Sequence, residues 1–311
     1  MRSPTQRVLT RADLDRYADA ALGTGIRAAT ELSGGSLAAV WRLDLVDGRS
    51  VVLKVGPAPE TPLLRYEAGM IAAEAEYFRL VGDRAPVPTV LHHDGDAIVT
   101  TLLPGSAIAP GTAPEVRRQL GAAVAAIHTV TGGRFGYTGA RPNADTWSGA
   151  FAAMVEDLLA DAVDWKVALP VPADTVRATV RAHHDVLSTV DRPALLHFDL
   201  WDGNVLADGD RLTGLVDGER HLYGDPLLDL VSPVLFRRVE EEPENPFAHG
   251  YFGGPATFDD SARRRLGLYR LHLYLLMTVE MPSRGMTGPE SRGRDDLVRA
   301  LLTEEVSRLR T

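Results

Sequence analysis

The N-terminal part of the chain alternates short apolar, β-branched runs with turn signals. In "AATELSGGSLAAVWRLDLVDGRSVVLKVG" three such runs are separated by "SGGS" (Ser33, Gly34, Gly35 and Ser36) and then by "VDGRS". Gly-Gly and Asp-Gly joints between β-rich runs predict an antiparallel meander with Lys54 on its third strand. The next segment, "TPLLRYEAGMIAAEAEYFRLVG", opens on Thr-Pro, carries apolar residues at helical spacing and closes on Gly82, which predicts one helix. "APVPTVLHHDGDAIVTTLLPG" adds two strands around an Asp-Gly turn, so this part reads as a five-stranded antiparallel sheet with one helix. From Thr112 onward amphipathic helices dominate. The exceptions are "PALLHFDL" and "NVLADGDRLTGLVDGE", which read as short strands around loops. The expected fold class is α+β with two lobes, residues 1–103 and 104–311, dividing at Pro104-Gly105.

Composition narrows the functional classes. The chain has 311 residues, 45% hydrophobic and 24% charged, enough to bury a substantial core. It contains no cysteine, which excludes disulfides and thiolate zinc sites. The N-terminus lacks the apolar core of a signal peptide. The most apolar stretch, Leu266 to Met281, is interrupted by Arg270, His272 and Glu280 and falls short of the ~20 residues a bilayer span needs. It reads as a buried helix, and a cytoplasmic monomer or weak dimer without membrane contact is expected. A net charge of −9 argues against a nucleic-acid partner. The acidic balance suits a cationic small substrate, and plain solubility equally well.

Of 33 basic residues only Lys54 and Lys166 are lysines. Lys166 sits in a polar context and reads as a solvated surface residue. Lys54, within "SVVLKVG", lies in a β-branched run where a charge is costly unless paired, so it requires a partner. The following helix offers Glu67, Glu74 and Glu76. Glu67 and Glu74 share a face, and spacing alone does not choose between them.

The segment "LLHFDLWDGN" raises the chemical question. Behind it runs a hairpin, "VLADGDRLTGLV", which delivers Asp217 thirteen residues after Asn204. Residues flanking a tight hairpin come close together, so Asn204 and Asp217 are expected to face one another. An amide oxygen beside a carboxylate is hard oxygen chemistry, suited to Mg²⁺ held jointly with substrate phosphates. Asp199, in the loop just before, is left free to accept a proton from a hydroxyl.

The residues His197, Asp199, Asn204, Asp217, Glu219, Gly224, Asp225, Pro226, Asp229 and Leu230, in this order and register, resemble the aminoglycoside phosphotransferase family, relatives of the protein kinases. The resemblance covers most of the chain. It implies a bilobal protein-kinase-like fold and transfer of the γ-phosphoryl group of ATP to a substrate hydroxyl, with ATP and Mg²⁺ as cofactors. It implies Asp199 as catalytic base and Asn204 and Asp217 as metal ligands. It also demands that the third-strand lysine touch the α/β-phosphates and be held by a helix glutamate. Placed relative to the strand signal Val87-Pro88, Glu74 takes that position, with Glu67 as the fallback. Ser33 to Ser36 fit the phosphate-covering turn, and main-chain groups of Thr101, Leu102 and Leu103 fit the adenine-holding hinge.

The acceptor implied is an aminoglycoside or related antibiotic or amino-sugar, a small hydroxylated and cationic molecule, with antibiotic resistance as the implied role. Fructosamine-, choline- or homoserine-type metabolites are the alternative, and Trp201 after "HFDL" resembles the loop of fructosamine kinases. A further alternative, a non-catalytic nucleotide-binding pseudokinase, predicts loss of Lys54, Asp199, Asn204 or Asp217, and all four are present.

Two positions depart from the family pattern. Phe198 stands where glycine is usual, and its ring is expected to reshape the adjacent pocket. Gly218 replaces a tryptophan. His197 is expected to brace the loop, Asp225 to cap a helix and Asp229 to anchor the catalytic loop. His128 is expected to pack in the helical lobe, and Glu219 to touch metal or only to hydrogen-bond nearby. His92-His93 and His183-His184 lack accompanying ligands for a metal site. The acidic run Glu240 to Glu244 reads as a solvated loop.

Overall fold

A computed structural model describes residues 3–32 and 35–311. The N-terminal sheet has five antiparallel strands: β1 (Ile26–Glu31), β2 (Ala39–Leu45), β3 (Ser50–Val55), β4 (Val90–His93) and β5 (Ala97–Thr101). Their spatial order is β1-β2-β3-β5-β4, so β3 lies at the centre. Alternation along β3 decides what faces where. Val51, Leu53 and Val55 enter one apolar cluster with Leu43, Leu45 and Val99, and Lys54 points to the opposite face. Lys54 is flanked in register by Val40 and Ile98, which fixes its height on the sheet.

That apolar cluster is closed by a helix the sequence reading did not anticipate, α1 (Arg11–Leu22). Thr10 and Asp13 form a reciprocal capping box at its start, and Gly23 in the left-handed region ends it. Only Leu14 and Ala18 of α1 are buried, against the sheet face that Lys54 leaves free.

The other face carries α2 (Met70–Val81). This helix begins well after the Thr61-Pro62 signal. Arg65–Glu67 form a separate short 3₁₀ turn, and Gly69, with φ 72°, redirects the chain before α2 starts. Glu67 is therefore not on the helix that carries Glu74. Its carboxylate accepts the Leu64 N–H at 2.8 Å and pairs with Arg284.

The C-terminal part is mostly helical: α3 (Pro114–Ile127), α4 (Trp147–Asp164), α5 (Ala173–Ala182), α6 (Pro246–Phe252), α7 (Asp260–Ser283) and α8 (Arg292–Arg308). The expected apolar helix from Leu266 is the inner part of α7, whose residues from Leu266 to Met281 are all buried. The acidic run does not behave as a solvated loop throughout. The Glu240 side chain is only 5% exposed and bonds Arg270 of α7 at 2.9 Å, because Arg270 is buried and needs a counter-charge. Among the described residues no helix is long and apolar enough to cross a membrane.

Between the helices lie short strands that carry the loops of interest: β6 (Ala194–Leu196), β7 (Val205–Asp208), β8 (Arg211–Leu215) and β9 (Leu222–Gly224). β7 and β8 form the expected hairpin, Val205 pairing with Leu215, and β6 pairs with β9.

Candidate active site

Lys54 is 7% exposed and surrounded by carboxylates. Its Nζ lies 2.8 Å from Glu74 Oε2, 2.9 Å from Asp217 Oδ1 and 2.6 Å from Glu219 Oε2. Burial opposes the ammonium charge, but Asp217, Glu219 and Glu74 outweigh it and hold the Lys54 pKa well above its ordinary value. Three carboxylates share this one cation. Burial pushes Glu74 up to about 8, Lys54 countering only part of the effect while Glu219 and Asp217 add to it. Asp217 goes the other way: burial raises its pKa, and the ammonium overcomes that and keeps it low.

The loop after β6 is held from behind by one carboxylate. Asp229 accepts the His197 N–H at 2.8 Å and the Phe198 N–H at 2.6 Å, and bonds His128 Nε2 at 3.1 Å. His197 Nε2 bonds the Val216 carbonyl at 3.0 Å, tying this loop to the strand leading into Asp217. Asn204 Nδ2 donates to the Asp199 carbonyl at 2.8 Å, and Val216 N–H donates to the Asn204 carbonyl at 3.1 Å. Asp225 caps the following turn through Leu227 N–H at 3.1 Å and accepts from Tyr269 at 2.5 Å.

Phe198 has φ 69°, a left-handed conformation costly for any residue with a Cβ. Its ring does not reshape the pocket. It is 1% exposed and packs 5.4 Å from the His272 ring, because the turn that frees the Asp199 side chain sends its neighbour into the core. At Gly218 an added Cβ would stand 2.1 Å from Tyr77 Cδ1, so the aromatic residue here is supplied by α2 instead.

A cavity of about 370 Å³ opens between the sheet and the helical part. Gly35, Ser36, Lys54, Asp199, Asn204, Asp217 and Glu219 all line it. Ser33 and Gly34 lie outside the described residues. Thr101, Leu102 and Leu103 are half-buried and are not part of this wall.

Arg220 and Glu280, on the wall of the same cavity, belong to a polar network that the sequence reading missed. Arg220 Nη2 donates to Glu280 Oε2 at 3.0 Å, its Nε lies 3.7 Å from Asp199 Oδ2, and its guanidinium sits 5.6 Å from the centre of the Tyr66 ring. Tyr66 Oη donates to the same Glu280 oxygen at 3.2 Å. The available signal was Glu280 itself, a carboxylate inside an apolar helix, and Arg220 next to Glu219.

Residues 28–266 match the model of the "Phosphotransferase enzyme family". The chain belongs to that family. This phosphotransferase therefore acts on a hydroxyl acceptor, as its family does. Among solved structures it is similar to a putative fructosamine-3-kinase from Thermobifida fusca YX-ER1, with 23% identity, TM-score 0.72, and 95% of this chain and 100% of that chain covered. A macrolide 2'-phosphotransferase from Brachybacterium faecium gives 20% identity, TM-score 0.61 and coverage of 94% and 98%. A choline/ethanolamine kinase family protein from Mesorhizobium loti gives 22% identity, TM-score 0.62 and coverage of 97% and 99%. These likenesses establish the phosphotransferase's kinase-like fold. No curated protein sequence matches it.

Proposed function

We propose that this chain transfers the γ-phosphoryl group of ATP to a hydroxyl of a small molecule, using Asp199 as base. The observation that carries the reading is that Lys54, Asp199, Asn204 and Asp217 line one cavity, with the lysine pinned among three carboxylates. Oxygens of Glu74, Asp217 and Glu219 lie within 4.8 Å of one another, and a single ammonium leaves that cluster with excess negative charge. A divalent cation fits such a donor set of hard oxygens. Asp217 and Asn204 would hold Mg²⁺, which supplies neutralisation of the phosphate charge when bound.

The residues of the chain then have separate tasks. Lys54, oriented by Glu74, binds α/β-phosphate oxygens, and Gly35 and Ser36 sit over the phosphates. Asp199 accepts the proton of the acceptor hydroxyl as its oxygen bonds to the γ-phosphorus and the bond to the ADP oxygen breaks. In a loose transition state the carboxylate contributes chiefly alignment. The Asp199 main chain is fixed for this by Asn204 and, through its neighbours, by Asp229.

The acceptor is a small hydroxylated molecule, and hydroxylated antibiotics and amino-sugars are the first classes to test. A fructosamine-type metabolite is the second reading, favoured by Trp201, which is 41% exposed and lines the cavity directly after the Asp199 loop. An ATP-consumption screen over aminoglycosides, macrolides, amino-sugars and fructosamines tests both. Consumption dependent on one acceptor class is expected; a Mg·ATP-dependent thermal shift with no consumption for any acceptor would favour the pseudokinase instead.

A further inference from the structure

The acceptor end of the cavity has a charge pattern that differs from the net acidity of the chain. Three arginines, Arg220, Arg284 and Arg294, line it together with Asp199 and Glu280. Glu280 is already used: it accepts from Arg220 at 3.0 Å and from Tyr66 at 3.2 Å. Those two neighbours, with Arg284 and Arg294, also supply its electrostatic surroundings; burial raises its pKa, and Arg220, Arg284 and Arg294 bring it below the ordinary value. At this end of the cavity the proposed base is the carboxylate left to receive an ammonium group, since Asp217 and Glu219 are held at Lys54.

Arg284 is the decisive residue. It is 4% exposed, and one of its terminal nitrogens is committed to Glu67. Its Nε and Nη1 are buried and have no hydrogen-bond partner among the described residues. A buried guanidinium with two unused donors is costly, because those N–H groups have surrendered water and gained nothing. Arg294, exposed at the mouth, adds a second positive charge. Around them the wall is apolar, with Leu235, Phe236, Leu273, Met277 and Met286.

Building on the phosphotransfer reading above, we propose that the acceptor is a hydroxy acid: a molecule with an apolar body, a hydroxyl presented to Asp199, and a carboxylate received by Arg284 and Arg294. A planar carboxylate matches the paired N–H geometry of a guanidinium, which an uncharged ester or a polyamine does not. Arg220 and Arg284 are already paired with Glu280 and Glu67, so the charge a polycationic acceptor meets unneutralised at the mouth is that of Arg294.

The test is a library of hydroxy acids with aryl or alkyl bodies, each paired with its methyl ester, alongside polycationic aminoglycosides. Phosphorylated product is read by mass spectrometry, and binding by thermal shift in the presence of Mg²⁺ and a non-hydrolysable ATP analogue. The acids are expected to exceed their esters by about ten- to a hundredfold in kcat/KM, the scale of one lost charge-assisted hydrogen bond. Arg284→Gln should collapse that acid-over-ester ratio. Since this variant strands buried Glu67 and can fail to fold, Arg294→Gln at the exposed mouth provides the second arm, with a smaller collapse of the same ratio. Stabilisation by acids and not by esters, with no product formed, upholds the carboxylate site and sinks the phosphotransfer reading. Esters that match the acids, aminoglycosides accepted in place of acids, or no response to any acid in either assay overturns the proposal.

Discussion

Replacing Phe198 with glycine sets two opposing effects against each other, and the structure decides the sign. The residue sits at φ 69°, where a side chain costs about 1–2 kcal/mol that glycine would recover. The ring, however, is 1% exposed and packed against His272. Truncating a buried phenylalanine costs about 3–5 kcal/mol, and the added freedom of glycine in the unfolded chain costs about 0.5–1 kcal/mol more. Burial wins, so Phe198→Gly should destabilise the protein by about 3 kcal/mol. Phe198→Ala loses the ring and keeps the strain, and should be worse than the glycine variant by about 1 kcal/mol. Urea unfolding followed by tryptophan fluorescence measures both differences. A glycine variant as stable as the wild type would refute the burial argument. An alanine variant more stable than the glycine one would refute the strain. A variant of normal stability whose acceptor KM changed would show that the ring faces the cavity after all.

Asp199→Ala should lower turnover by about a thousandfold or more while the thermal shift induced by Mg·ATP survives, because Asp199 is not among the residues around Lys54; near-normal turnover would end its assignment as base. Gly218→Ala should cost about 1–3 kcal/mol and weaken Mg·ATP binding, since a Cβ 2.1 Å from Tyr77 pushes on the helix that carries Glu74; calorimetry with and without Mg·ATP checks it, and an unchanged Tm would contradict the contact. Glu74, with its pKa raised to about 8 in the folded protein, binds a proton more tightly there than in the unfolded chain. Its contribution to stability is therefore full below its ordinary carboxylate pKa and is lost as pH rises through about 8. Relative to Glu74→Gln, the ligand-free wild type should lose up to about 1.4 kcal/mol per pH unit between pH ~5 and ~8. Urea titrations at constant ionic strength measure this, and a difference that stays flat or grows with pH is the contrary result.

What could be read from the sequence was what local signals encode. The turn dipeptides and the alternation in "SVVLKV" were sufficient to order the first three strands and to put Lys54 on the third. The helix α1 escaped because "RADLDRYADAAL" buries only Leu14 and Ala18, too few for an apolar period to stand out. The start of α2 was misread because Glu67 is held by Arg284, 217 positions away, a pairing no window of sequence can contain. The same holds for Tyr66, Arg220 and Glu280, which three separate segments bring together. Glu240 was misjudged for a related reason: whether a carboxylate is solvated depends on what lies beneath it, here Arg270.

The scarcity of lysine has a consequence for the reactivity of the folded chain. Acylating agents, reducing sugars and aldehydes all require an unprotonated, reachable amine. Lys54 lines the cavity but is only 7% exposed, and the surrounding carboxylates hold its amine protonated. Lys166, exposed just beyond α4, is the lysine side chain such reagents reach first while the fold is intact. A second lysine modified in a sample would thus count the molecules in which Lys54 had been released from its three carboxylates.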